Sequence, residues 1–195
     1  MKVAVVYFTH TDVTGALARA LVESIKGAGP VEVLEHSISG SEIIEGRFRN
    51  QPLLDALNSC DAIVFGSPTY MGSVAAQFKA FADATSELWC EQRWAGKLAA
   101  GFTCGSALNG DQAATLQYMA TLANQQGMLW LGLSSTGEQP AQNEEGDTET
   151  LGINRLGCQA GVVAQSADGT VDPRDLATAA YLGKRITEQL MRFKN

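Results

Sequence analysis

Apolar and polar residues follow one another along the chain in blocks that predict strands separated by helices. Short β-branched runs bounded by polar residues lie at Lys2–Phe8, Asp61–Gly66 and Lys97–Thr103, a pattern typical of buried strands. Between the first two runs, apolar residues recur at helical spacing in Thr14–Lys26. Gly27, Gly29 and Pro30 then end this predicted helix.

The rest of the chain continues the same alternation. Two more strands are predicted at Val31–Glu35 and Met128–Leu133, and further helices at Pro52–Asn58, Ala75–Glu87, Gln112–Gln125 and Pro173–Phe193. Residues 37–50 are expected to form a loop, and a short apolar piece at Gly161–Ala164 follows the polar stretch Ser134–Leu156. Neither a repeat nor a linker interrupts the pattern, which predicts a single domain over residues 1–195.

This order of elements predicts an α/β protein of three layers. Strands that alternate with helices are joined by right-handed crossovers, which give a five-stranded parallel sheet with helices on both faces. Ligands of such sheets bind at the carboxyl ends of the strands, where neighbouring loops part. The loops after the first, third and fourth strands are therefore the candidate site.

The composition and net charge of the chain limit the classes of binding partner that it is expected to have. The chain has 45% apolar and 18% charged residues and a formal net charge of -7, which argues against nucleic acid or anionic lipid as the main partner. The acidity is equally consistent with a role in solubility alone. No apolar run approaches the roughly 20 residues that span a bilayer. The chain passes from Met1 directly into the first strand without a targeting segment, so we expect a cytoplasmic protein.

The cysteines do not suggest a metal site or a disulfide framework. Cys60, Cys90, Cys104 and Cys158 are far apart, and none has zinc-type spacing to the two histidines. We interpret them as reduced thiols that mainly pack in the interior. For Cys104, which lies at a predicted strand end, a redox role is the alternative to a packing role.

The first candidate loop runs directly into a helix. It contains Thr9, His10, Thr11, Asp12, Val13 and Thr14. Unpaired N–H groups at a helix start, together with hydroxyl donors, suit a phosphate dianion without lysine or arginine. A simple hydroxyl-rich helix cap is the alternative. The loop has neither the dinucleotide glycine pattern nor the lysine of nucleoside triphosphate loops.

The other two candidate loops contain glycine, proline and an aromatic residue. Ser67, Pro68, Thr69, Tyr70, Met71 and Gly72 follow the third strand, where a stiff backbone and a planar side chain can hold an aromatic heterocycle. An ordinary turn is the alternative. Thr103, Cys104, Gly105 and Ser106 begin the third loop, in which Asp111 stands where a phosphate loop requires lysine. Backbone amides around Gly105 can instead face the pyrimidine end of a flavin or its ribityl chain.

These three loops resemble those of the flavodoxin-like NADPH-dependent FMN reductase family, and most of all the WrbA-type NAD(P)H:quinone oxidoreductases. The first loop is similar to the T-x-T-G-x-T phosphate loop of flavodoxins, with Asp12 in place of the glycine. The element from Gly66 to Gly72 matches G-[ST]-P-T-x-x-G, which is fairly specific to this group. The resemblance covers almost the whole chain and implies a flavodoxin-like fold with FMN bound non-covalently.

The resemblance also implies site residues and an activity. Thr9, Thr11, Val13 and Thr14 would hold the FMN phosphate, residues 68–72 would lie along the isoalloxazine, and residues 103–106 would meet its other edge. Trp89 stands where WrbA-type enzymes have a tryptophan of the nicotinamide and quinone pocket, and Gln126 replaces a family histidine. Trp89 and Tyr70 are the residues expected to contact the reacting substrates.

The implied reaction passes hydride from NAD(P)H through FMN to a quinone-like or small aromatic acceptor, in a homo-oligomer (a dimer or tetramer). The absence of a hydrolytic triad agrees with such chemistry. Two alternatives are a flavodoxin-type electron carrier that docks basic partners through its negative surface, and an accessory FMN-binding protein with little turnover. The long polar segment Gly137–Asp147 is expected to act as a lid or a subunit contact, or to be disordered.

Overall fold

A computed structural model describes residues 1–135 and 152–194 of the chain. Strands and helices alternate through most of this range. The elements are β1 (Lys2–Tyr7), α1 (Val13–Ala28), β2 (Glu32–Ser37), β3 (Ile43–Ile44), β4 (Arg47–Phe48), α2 (Gln51–Asn58), β5 (Ala62–Tyr70), β6 (Ser73–Val74), α3 (Ala76–Ala84), α4 (Ser86–Cys90), β7 (Leu98–Gly105), α5 (Asp111–Gln125), β8 (Leu129–Trp130), β9 (Val162–Gln165) and α6 (Pro173–Lys194).

The sheet has the order β2-β1-β5-β7, and its far edge is occupied by two short strands. Both β8 and β9 pair in parallel with β7: β8 with its amino-terminal half at Leu98 and Ala99, and β9 with its carboxyl-terminal half from Phe102 onward. The chain leaves β1 toward β2 on one side and reaches β5 on the other, so the topological switch point lies between β1 and β5. The flavodoxin-like three-layer fold is thereby confirmed.

The strand count is larger than predicted. Within the described residues the sheet contains seven strands, because two strands share the fifth position and β6 adds a short antiparallel pairing to β5. The sequence predicted one fifth strand at Met128–Leu133, but only Leu129 and Trp130 pair with β7 there. The apolar piece at Gly161–Ala164 supplies the second half as β9.

Residues of each central strand alternate between two cores, one on each face of the sheet. Val3 and Val5 of β1 face α1 and α6, whereas Ala4 and Val6 face the layer formed by α2, α3 and α5. All four side chains are fully buried. Such continuous apolar runs are expected of strands that are covered on both sides.

Helices α1 and α6 pack closely over one face. The Ser24 hydroxyl of α1 donates to the Ala180 carbonyl of α6 at 2.5 Å. A Cβ atom at Gly183 would lie only 2.6 Å from the Leu21 carbonyl oxygen, so the absence of a side chain there lets the two backbones approach. The first and last helices of the chain thus cover this core together.

Two segments differ from the sequence-based expectation. The predicted loop at residues 37–50 contains a 3-10 turn and the β3–β4 hairpin, whose Phe48 is buried edge-on against Phe81. The predicted helix Ala75–Glu87 breaks at Thr85, where the buried side chain turns back to donate to the Ala82 carbonyl at 2.7 Å. The break creates the separate helix α4, which carries Trp89.

No helix among the described residues is long and apolar enough to cross a membrane. The polar segment Gly137–Asp147, predicted to be a lid or a subunit contact, lies outside the described residues.

Candidate cofactor site

The three predicted loops meet at the carboxyl edge of the sheet, around Cys104 at the end of β7. The Cys104 Sγ lies 3.2 Å from the Thr14 Oγ1 in the first turn of α1. Burial raises the pKa of Tyr70, and the neighbouring Cys104 raises it further. Because Thr14, Tyr70 and Cys104 belong to the first, second and third loops, the strand order brings all three loops to one place.

The first loop presents the start of helix α1. The Ala16 N–H donates to the Asp12 carbonyl at 2.8 Å, and the Gly15 N–H donates to the Thr9 Oγ1 at 3.3 Å. The first N–H groups of a helix have no partner within it, so the amides of Val13 and Thr14 are the donors left at this end. The positive end of the helix dipole adds to their attraction for an anion.

The three threonines of this loop have different surroundings. The Thr11 side chain is exposed to solvent, and the Thr9 hydroxyl accepts from Gly15 and can still donate elsewhere. Thr14 is only 1% exposed, and its hydroxyl joins Cys104 instead of facing solvent. Burial raises the pKa of the Cys104 thiol, which favours its protonated form. Thr14 thus connects the phosphate-type loop to β7 and offers an anion mainly its backbone amide.

The second loop is a hairpin, whereas the sequence predicted a stiff loop, or an ordinary turn, after a strand that ends at Gly66. Strand β5 continues to Tyr70 and pairs with β6 across Met71 and Gly72. Both turn residues have positive φ, 49° and 77°, as a type I′ turn requires. The buried Ser67 Oγ accepts from the Ala75 N–H at 2.9 Å, which fixes the base of the hairpin.

Two large side chains project at the tip of this hairpin. Tyr70 is 44% exposed and Met71 is fully exposed, whereas Pro68 just before them is buried. Exposed large apolar side chains at a sheet edge are typical of a ligand-contacting surface. The hairpin therefore offers an aromatic face and a thioether to a planar ligand.

A chain of hydroxyl groups ties the second loop to the third. The Thr69 Oγ1 lies 2.9 Å from the Thr103 Oγ1 and 2.8 Å from the Thr115 Oγ1. Thr103 and Thr115 are fully buried. Since a buried hydroxyl must find a partner to offset its lost hydration, this chain holds the hairpin against β7 and α5.

Strand β7 extends to Gly105, two residues beyond the predicted strand end at Thr103, so the third loop begins at Ser106. The buried Gln112 lies against that glycine: a Cβ atom at Gly105 would be 2.5 Å from its Nε2. This Nε2 donates to the Ala107 carbonyl at 2.7 Å. The Oε1 of Gln112 and the Oδ1 of Asn109 are buried acceptors without a partner. These two acceptors, one in the loop and one in the first turn of α5, suit a ligand that carries N–H or O–H donors.

The third loop is supported from behind by β9 and α6. The Ser166 N–H donates to the Gly105 carbonyl at 2.9 Å, and the Gln165 Nε2 donates to the Ser106 carbonyl at 3.0 Å. The Arg155 guanidinium bonds both carboxylate oxygens of Asp175, at 2.8 and 2.7 Å, and the Gln165 N–H donates to the same carboxylate at 3.2 Å. This buried ion pair fixes β9 to the first turn of α6.

Trp89 and Gln126 lie away from these loops. The Gln92 Nε2 donates to the carbonyls of both Trp89 and Gln125, which places α4 beside the end of α5, at the amino edge of the sheet. Gln126 is 2% exposed, and its Nε2 donates to the Thr85 Oγ1 at 2.8 Å. Within one chain the structure does not bring Trp89 to Tyr70.

The groups at the carboxyl edge fit FMN. A phosphate dianion suits the amides and hydroxyls at the start of α1, a planar ring suits the hairpin with Tyr70, and ring donors suit the unpartnered acceptors of the third loop. Sequence reasoning missed Gln112 and Thr115, although both lie on the loop-facing side of the helix predicted from Gln112. It also missed Arg155 and Gln165, for which no local signal exists.

Comparisons with known proteins identify the family of this chain. Residues 1–138 match the family described as NADPH-dependent FMN reductase. The chain is 37% identical over 189 residues to "Flavodoxin FldP" of Pseudomonas aeruginosa, covering 95% of this chain and 94% of that protein. It is 30% identical over 202 residues to an "NAD(P)H dehydrogenase (quinone)" of Archaeoglobus fulgidus, covering 96% of each.

A solved structure supports the same assignment. The crystal structure described as the flavodoxin, WrbA-like protein from Agrobacterium tumefaciens matches with a TM-score of 0.73 and 32% identity, covering 98% of both chains. The residues matched by the family include all three loops of the site. The chain therefore belongs to the flavodoxin-like NADPH-dependent FMN reductase family.

Proposed function

We propose that this protein catalyses the reduction of a quinone-like acceptor by NAD(P)H, with FMN as its bound cofactor. The overall reaction is NAD(P)H plus a proton and a quinone giving NAD(P)⁺ and a hydroquinone. The observation that carries the proposal is the meeting of three loops at Cys104, which contacts Thr14 of the first loop and pairs across the sheet with Pro68 of the second. The relative named NAD(P)H dehydrogenase (quinone) supports this choice of acceptor.

The first loop binds the phosphate in this proposal. The amides of Val13 and Thr14 and the hydroxyls of Thr9 and Thr11 donate to its oxygens, aided by the α1 dipole. His10 and Asp12 flank these donors and are exposed. The loop thus discriminates FMN from riboflavin, because only FMN carries the phosphate.

The second and third loops orient the ring. Pro68 and Thr69 fix the backbone beside it, and Tyr70, Met71 and Gly72 cover one side. Gly105 and Ser106 meet the opposite edge, and the buried Thr103 and Cys104 support them from below. The raised pKa of Tyr70 keeps its hydroxyl protonated near neutral pH, so Tyr70 offers a hydrogen-bond donor rather than a base.

Bound FMN supplies the redox chemistry, accepting hydride equivalents from the nicotinamide and passing them to the acceptor. The protein has to bind and orient the substrates and exclude water, and no side chain has to act as a nucleophile. Two planar substrates that use the same exposed ring face must bind in turn.

A neighbouring subunit completes the substrate pocket in this proposal. Trp89 is 48% exposed at the amino edge of its own sheet, so it reaches a flavin only across an interface between two copies. A homo-oligomer, a dimer or a tetramer, follows from that role. The cytoplasmic location and the single domain over residues 1–195 remain predictions.

One-electron transfer is the second candidate. The relative named flavodoxin and the net charge of -7, which suits docking to basic redox partners, favour it. The decisive assay follows NAD(P)H oxidation by the FMN-loaded protein in the presence of benzoquinone. We expect catalytic turnover; FMN binding without NAD(P)H oxidation would select the carrier instead.

A further inference from the structure

The phosphate-type loop contains an acidic residue in a backbone conformation that favours glycine. Asp12 has φ 65° and ψ 1°, in the left-handed region, and precedes the first residue of α1. Glycine occupies the equivalent position of the flavodoxin pattern, and aspartate is among the few other residues that tolerate it. An ionised carboxylate so close to the phosphate donors would by itself repel the cofactor phosphate.

Arg19 pairs with this carboxylate. The Arg19 Nη1 donates to the Asp12 Oδ1 at 3.0 Å, and Nη2 donates to Oδ2 at 2.7 Å, a bidentate contact seven residues along α1. The contact passes over Gly15, where a Cβ atom would collide with the Asp12 Oδ1 and lie 3.2 Å from the Arg19 Nη1. Asp12, Gly15 and Arg19 therefore form one geometric unit on the first two turns of the helix.

The charges of Asp12 and Arg19 affect the binding of an anion beside them. The hydrogen bond from Arg19 lowers the pKa of Asp12, so the carboxylate is ionised at neutral pH. The Asp12 side chain is 65% exposed, and Arg19 is 53% exposed. A surface ion pair of this kind contributes little to folding stability, so its charge balance matters mainly to what binds beside it.

We propose that Arg19 is a specificity-determining residue for FMN: it neutralises Asp12 and holds that carboxylate over Gly15, which keeps the phosphate donors of the loop available to a dianion. Arg19 acts through Asp12 and does not itself bind the phosphate. The inference rests on the FMN site proposed above and adds a determinant of its selectivity.

The test compares four variants by titrating flavin fluorescence, once with FMN and once with riboflavin. Arg19→Gln leaves Asp12 unneutralised, and we expect FMN to bind about 5- to 10-fold more weakly while riboflavin changes less than about 2-fold. Asp12→Gly should bind FMN within about 2-fold of the wild type, and Asp12→Gly/Arg19→Gln should return to that level. Lys26→Gln removes one positive charge from the end of the same helix and should change neither flavin.

Salt supplies a second readout. Because the repulsion is electrostatic and near the surface, the FMN deficit of Arg19→Gln should shrink at roughly 0.5–1 M salt. A double variant as weak as Arg19→Gln would overturn the inference, since Arg19 would then attract the phosphate directly. Equal losses for FMN and riboflavin would also overturn it, because they would indicate a purely structural role.

Failure of this inference and failure of the proposed function remain distinguishable. Wild-type protein that oxidises NAD(P)H with benzoquinone, while Arg19→Gln binds FMN normally, would refute only the role of Arg19. Wild-type protein that binds FMN and riboflavin equally would refute both the phosphate site and the inference that rests on it.

Discussion

The buried ion pair behind the third loop offers a quantitative test of how the site is supported. We consider Asp175→Ala. The Asp175 side chain is 1% exposed and accepts from the Arg155 Nε, the Arg155 Nη2 and the Gln165 N–H. The substitution removes all three contacts and leaves the Arg155 guanidinium, itself 11% exposed, without its main counter-charge.

The expected loss can be estimated from these contacts. Removing one partner of a buried ion pair costs about 3–5 kcal/mol. Arg155 keeps a second carboxylate, because its Nε lies 3.3 Å from the Asp172 Oδ2. We therefore expect the lower end, about 3 kcal/mol, which corresponds to about 6–12 °C in melting temperature for a chain of this length.

Urea unfolding followed by circular dichroism measures this loss, with Asp168→Ala as the matched control. Asp168 lies in the neighbouring turn, where its exposed carboxylate accepts from the Thr170 N–H and hydroxyl, and its removal should leave the unfolding midpoint where it is. The double variant Arg155→Met/Asp175→Leu should lose less than Asp175→Ala, because it leaves no buried charge unpaired. A loss below about 1 kcal/mol for Asp175→Ala would refute the argument that this pair supports the third loop.

Three further predictions concern the phosphate, the substrates and pH. Thr11→Ala should weaken FMN binding by about 1.5–3 kcal/mol and spare riboflavin, whereas Thr14→Val, which breaks the contact with Cys104, should weaken both flavins; calorimetric titration separates the two cases. Trp89→Ala should raise the KM for benzoquinone with FMN still bound, and initial-rate plots against NAD(P)H and quinone should be parallel; intersecting plots, or a fully active monomer, would contradict the shared interfacial pocket. Arg174, with a smaller contribution from Arg155, lowers the pKa of Asp172 to about 2. Its charged form therefore stabilises the fold fully above its ordinary pKa of about 4, and the stabilisation is lost as pH falls toward 2, so urea midpoints between pH 5 and 2 should decline less steeply in Asp172→Asn than in the wild type.

Local patterns were sufficient to predict the layers of the fold and the three loops. Helix starts and buried strands are encoded by neighbouring residues, so the donors after Thr9 and the loop from Ser67 to Gly72 could be located in advance, although the hairpin that this loop forms could not. The sharing of the fifth strand position by β8 and β9 could not be predicted. Strand β9 has only four residues, and its pairing with β7 joins residues 60 positions apart. A strand that short carries too little periodicity to be assigned from sequence.

Contacts between distant residues also escaped sequence reasoning. The hydroxyl groups of Thr69 and Thr115 are in contact although the residues are 46 positions apart, and the local sequence around neither residue predicts this contact. Trp89 was predicted to line the substrate pocket, and it follows α3, which runs from the carboxyl edge of the sheet to the amino edge, so it lies away from Tyr70 of the same chain. A single buried hydroxyl can end a helix early, whereas the apolar spacing of Ala75–Glu87 continues through it.

Helix α6 packs on α1 and is therefore part of the folded domain. The end of the family match and the end of the folded domain are thus different positions in this chain. The family match ends at residue 138, but β9 and α6 lie beyond it. A protein cut at that boundary would contain every predicted FMN contact and still leave Leu21, Ile25 and Phe102 without the residues of β9 and α6 that bury them. Any chimera that transfers this flavin module to another protein must therefore carry the last helix with it, or provide an apolar surface of the same shape.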